Sequence, residues 1–78
     1  MLDRATEERH LRLADEHIHH AQDLIRRLQE IVEHARSCNG DVEQAVHSLA
    51  AMNDVLATFV AHRNTILQTI SDIDAGKL

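Results

Sequence analysis

A heptad ladder that runs along two segments and breaks once limits what this chain can become. Leu11, Ala14, Ile18, Ala21, Ile25, Leu28, Val32 and Ala35 follow one another at alternating steps of three and four residues. After Ser37-Cys38-Asn39-Gly40-Asp41 the ladder resumes at Val42, Ala45, Leu49, Met52, Leu56 and Phe59, then continues through Ile66, Ile70 and Ile73. Such steps gather apolar side chains into one stripe of a helix and scatter them over both faces of a strand. One rung is charged, because Arg63 stands where the ladder asks for an apolar residue. The expected fold is all-α: a two-helix antiparallel hairpin.

The composition leaves little room for strands. There is no proline and one aromatic residue, and the two glycines sit near the expected helix ends. With 44% apolar residues but no aromatic or β-branched runs of alternating polarity, sheet formation lacks its usual material. Seventy-eight residues make a single domain. The first helix is expected over about residues 4–36. Asp3 or Thr6 would cap its start, and Glu7 and Glu8 sit well in its positive first turn. Residues 37–41 form the turn, with Asn39-Gly40 as a stop signal, since glycine accepts the left-handed conformation that closes a helix. Asp41 is the expected N-cap of the second helix, with Gln44 completing a capping-box pattern. That helix runs over about residues 42–74 and ends at Gly76.

With Leu11, Ile18, Ile25 and Val32 labelled a, and Ala14, Ala21, Leu28 and Ala35 labelled d, the first helix is apolar at g, a and d, with His10, His17, Leu24 and Ile31 at g. The second helix has Val46, Val60 and Leu67 at e and Val55 at g. One antiparallel neighbour cannot cover so broad a stripe. Below about 80 residues a core seldom supplies more than a few kcal/mol, and oligomerisation is a common remedy. Two hairpins stacked as a four-helix bundle would bury the excess. The expected assembly is a homodimer, with Val46, Leu49, Met52, Val55, Leu56, Phe59, Val60 and Leu67 at the interface. A protein partner is the other candidate for this surface.

The net charge is −5, divided as −2 over residues 1–40 and −3 over residues 41–78. Neither half offers the clustered cations that phosphate backbones require, so no nucleic-acid partner is expected. Plasmid RNA-binding regulators include small homodimeric hairpin bundles, but the acidic balance here argues against that role. The single cysteine, Cys38, has no partner for an internal disulfide and fits no zinc-type spacing. With no apolar leader in MLDRATEERH and no run near the roughly 18 apolar residues of a membrane span, the expected location is cytoplasmic, with no membrane partner. No phosphate loop, nucleophile elbow or paired catalytic thiol occurs, so no catalysis and no cofactor are expected.

Polar residues of the ladder collect at one end. With the turn centred near residue 39, positions whose numbers sum to about 78 face each other. His17 and His62 then share the g edge, and Asp15 at e can reach Arg63 on the other edge. The simplest role is a polar layer of Asp15 and Arg63 that fixes register. A metal site built on His17 and His62, completed by His10 or a carboxylate of a second chain, is a second reading, and anion recognition by Arg63 is a third. His19, His20, His34 and His47 fall at outward positions as solvated residues.

The segments HLRLADEHIHHA, IVEHAR, NGD and AHRNTIL resemble a group of short bacterial helical-hairpin proteins with no assigned activity. The resemblance covers roughly residues 10–67. It implies a helical hairpin, and it aligns His17, Ile18, His62 and Arg63 with residues that recur in that group. Two differences stand out: HIHHAQ lacks a glycine shortly after the His-Ile pair, and the turn reads Asn39-Gly40-Asp41-Val42.

Overall fold

The computed structural model describes residues 3–77. It contains two helices, α1 (Arg4–Ser37) and α2 (Glu43–Asp74), joined by a short turn and packed side by side. Asp3 is the N-cap of α1: its Oδ1 accepts from the Ala5 backbone N–H at 3.3 Å and its Oδ2 from the Thr6 hydroxyl at 3.1 Å. The helix runs one residue beyond the expected Arg36.

The turn corrects one expectation. Asn39, with φ 55°, takes the left-handed conformation that had been assigned to Gly40. The Gly40 N–H donates to the Ala35 carbonyl at 2.6 Å and the Asn39 N–H to the Arg36 carbonyl at 3.3 Å. This pair of bonds is a Schellman closure, in which the left-handed residue is the one just past the cap, a place where asparagine is tolerated. Gly40 lies against Ala35, where an added Cβ would stand 3.4 Å from the Ala35 carbonyl oxygen. The end of α2 repeats the motif with Gly76 at φ 73°, Lys77 donating to the Asp72 carbonyl at 2.8 Å and Gly76 to Ile73 at 3.0 Å.

The start of α2 also differs in detail. The cap position is Val42, whose side chain has nothing to donate or accept, and the helix begins at Glu43. Asp41 still serves the helix end from one residue further out, its Oδ1 accepting from the Glu43 N–H at 2.9 Å. No bond from Gln44 back to Asp41 is found among the described residues.

The seam follows the heptad. The buried apolar residues are Ala14, Ala21, Ile25 and Val32 of α1 and Ile66 of α2, all at a or d. Leu49, Met52, Leu56 and Phe59, expected on the same stripe of α2, are only half-buried. A single neighbouring helix covers the stripe unevenly: Ile25, Val32 and Ile66 are closed over, while even Ala35 and Ala45 of the same ladder stay half-buried. The hairpin measures 59 × 15 × 15 Å, with a radius of gyration of 17.6 Å, against about 11–12 Å for a globular chain of this length. A rod two helices wide has no interior beyond its single seam. No described helix is long and apolar enough to cross a membrane.

Candidate interaction surface

The end of the hairpin away from the turn is laced by ion pairs. Arg63 Nε donates to Asp15 Oδ1 at 2.5 Å, with the two side chains 35% and 45% exposed. The charged rung of the ladder is thus joined to the acid that register placed beside it. Nearer the termini, Arg4 grips Asp74 with two bonds, Nε to Oδ1 at 2.7 Å and Nη2 to Oδ2 at 3.2 Å, and its Nη1 also donates to Glu8. A forked guanidinium matched to a carboxylate is the strong form of such a contact. The hydrogen bond from Arg4, reinforced by its charge, holds the Asp74 carboxyl below the usual carboxylate range, and the guanidinium is raised in turn.

Glu7 departs from the exposed place expected of an acid in the first turn of α1. It is only 7% exposed, with one carboxylate oxygen 3.6 Å from His10 Nδ1. Its place in the first turn suggests a dipole-complementing surface acid. Counting back seven from Ala14, however, places it at d, and that continuation of the ladder was the signal for burial. Among the described residues no fully buried side-chain polar atom lacks a hydrogen-bond partner.

The histidines proposed as metal ligands sit differently. The His17 ring packs against Phe59, with centroids 5.3 Å apart and planes inclined by 35°; His62 is exposed on α2. Among the described residues no three His, Cys, Asp or Glu side chains are gathered where they could hold a metal ion. Arg63, the candidate for an anion, already has Asp15 as its partner. Cys38 is exposed, and its Sγ lies 3.8 Å from His34 Nε2, one helical turn back.

The larger feature is apolar. Val46, Val55, Val60 and Leu67 of α2 are 37–40% exposed, while Leu24 and Ile31 of α1 reach 44% and 53%. They fall on two edges of the rod. Leu24, Ile31 and Val55 share the g edge, and Val46, Val60 and Leu67 share the e edge. The concavities between them are open grooves, one of which runs beside Val46 and Leu49 past Gln29, Val32, Glu33 and Arg36. Leu24 and Ile31 belong to the apolar stripe of α1 and lie outside the interface expected from the sequence, yet their g positions leave them exposed on the flank.

The chain matches no known family model, no characterised protein and no solved structure. Its reading therefore rests on this geometry.

Proposed function

We propose that this protein is a small interaction module, a homodimer whose two hairpins form a four-helix bundle and present their remaining apolar edge to a protein partner. The observation that carries the reading is the area the single hairpin leaves wet. Its accessible surface is 5775 Å², whereas a compact monomer of 8.8 kDa exposes about 4,800 Å². The excess of about 1,000 Å² is the size of one side of a standard protein interface, about 800 Å². Large apolar side chains populate that surface, including three on each edge. The ion pairs at the far end are part of the scaffold in this reading: they hold the helices in register so that the apolar edges stay continuous.

Light scattering of the untagged protein across a concentration series tests it. The dimer predicts a mass of twice 8.8 kDa at micromolar concentration. A mass of 8.8 kDa at the highest concentration reached would overturn the homodimer.

A further inference from the structure

Helix α2 carries a second ladder outside its seam with α1. Val46, Ala50, Asn53, Ala57, Val60, Asn64 and Leu67 follow at alternating steps of four and three, at heptad positions e and b, and every one of them is exposed. At about 100° per residue, the middle of this stripe lies about 100° around the helix from the a/d stripe that faces α1. That is close to the right angle between the two neighbours of any helix in a square four-helix bundle. Helix α2 therefore has the surface for a second helical neighbour, in the direction where one would stand.

Charge distinguishes this stripe from the rest of the molecule. Between Glu43 and Asp72 the only Asp, Glu, Lys or Arg residues on α2 are Asp54 and Arg63, and Arg63 is bonded to Asp15. Positions b, c and f of α1, by contrast, carry Arg12, Glu16, Asp23, Arg26, Arg27 and Glu30. With no charged residue among its seven positions, this flank of α2 costs less to desolvate than the charged faces of α1. The stripe lacks the flanking cations with which a helix meets a lipid surface and has no charge pattern to select a charged peptide.

Its symmetry identifies the occupant. An antiparallel copy of the same stripe, related by a two-fold axis at Ala57, sets Ala57 against Ala57 and Asn64 against Ala50, and brings Val60 beside Asn53 and Leu67 beside Val46, each offset by one residue. The smallest residues meet at the centre, where two helices approach most closely, and the branched apolar ones close both ends. Self-complementarity of this kind is what an isologous contact requires. We infer that the e/b stripe of α2 is the dimer seam, packed antiparallel on the same stripe of a second copy about an axis at Ala57. The inference rests on the homodimer reading and specifies its geometry; Leu24 and Ile31, on the opposite edge, stay outside this seam.

Cysteine cross-linking tests it. In a Cys38→Ser background, Ala57→Cys should oxidise to a covalent dimer on a non-reducing gel under conditions where Leu24→Cys stays monomeric. In parallel, Val60→Glu with Leu67→Glu should halve the mass in light scattering with helix content retained, while Leu24→Glu with Ile31→Glu should leave the mass unchanged. If the parent protein is itself a monomer, the homodimer reading fails and this geometry with it. If the parent is a dimer, but Leu24→Cys cross-links and Ala57→Cys does not, the dimer stands and the seam is wrong. The cross-linking result decides even if the charged variants fail to fold.

Discussion

Arg63 at position a of α2 bonds to Asp15 at position e of α1, and the same relation recurs with the helices exchanged: Arg4 at a of α1 bonds to Asp74 at e of α2. The two arginine–aspartate pairs are separated by 11 residues along each helix, about three turns, so both lie on the e edge. Each helix thus lends one arginine from its apolar stripe to the flank of the other. Sliding α2 past α1 by a heptad would part both pairs at once. A continuous apolar ladder alone would tolerate that slip much better, because leucine and isoleucine rungs are interchangeable across heptads.

Register and stability are therefore separable at Arg63. The pair with Asp15 is partly exposed, and such pairs are worth about 0–1 kcal/mol. A leucine would restore the seam and bury apolar area worth about 1–2 kcal/mol at this half-covered position. Arg63→Leu is expected to raise the unfolding midpoint by several degrees, or to alter the assembly by freeing the register. Thermal denaturation at fixed protein concentration, with light scattering alongside, checks this. A clear loss of stability with the assembly unchanged would mean that the pair is worth more than its exposure allows.

Acid should loosen the terminal end. Asp74 has its carboxyl held below the ordinary range by the hydrogen bond and charge of Arg4. A carboxyl whose folded value lies below its unfolded value adds stability above the unfolded value and loses it as pH falls through the folded one. Removing Arg4 should therefore destabilise the protein at neutral pH. The difference from the parent should begin to shrink as pH falls to the ordinary aspartate range, about pH 4, and vanish only below the still lower value that Asp74 has in the folded protein. Carboxyl titration by NMR would show Asp74 returning to the ordinary range in Arg4→Ala. An Asp74 titration unmoved by that substitution would show that the pair does not persist in solution.

Much of this was legible in the sequence, for a definite reason. The ladder states which face of each helix is covered, so the seam residues Ala14, Ala21, Ile25, Val32 and Ile66 and the Asp15–Arg63 contact could be read from spacing and the position of the turn. Spacing does not state how deeply a residue is covered. Leu56 and Phe59 share the stripe with Ile66 yet remain half-buried, because a single neighbouring helix covers the stripe unevenly. Glu7 shows a related conflict: its charge points to the surface and its heptad place to the seam, and the place prevails. The left-handed residue of the turn was assigned to Gly40 on propensity, whereas the hydrogen bonds of the closure select the residue just past the cap, Asn39.

Depth of burial makes a graded prediction on α2. Ile66 is 4% exposed, so Ile66→Ala should cost about 2–5 kcal/mol, the range for a large aliphatic residue removed from a closed core. Leu56 is half-buried in the single hairpin, and there Leu56→Ala should cost about half as much. In a bundle that covers it, the two costs should converge. Chemical denaturation of both variants at low and high protein concentration distinguishes the cases. Negligible costs for both would contradict the heptad register itself.

The turn supplies the last test, and it bears on the unfolded chain as well as the folded one. Asn39 holds φ at 55°, a conformation that costs most L-residues about 1–2 kcal/mol and asparagine less. Glycine adopts it without steric cost but loses more backbone entropy on folding, by about 0.5–1 kcal/mol relative to alanine. These effects oppose each other, so Asn39→Gly should change stability by less than about 1 kcal/mol in either direction. Asn39→Ala retains the strain without the local hydrogen-bonding capacity of asparagine, and it should cost about 1 kcal/mol. Gly40→Ala should fall between them, because a Cβ there would stand 3.4 Å from the Ala35 carbonyl oxygen, at the edge of ordinary contact. Chemical denaturation of the three variants should therefore rank Asn39→Ala as the most damaging. If Gly40→Ala proved the worst, the left-handed residue of the turn would be Gly40 after all, and the closure of α1 described here would be displaced by one residue.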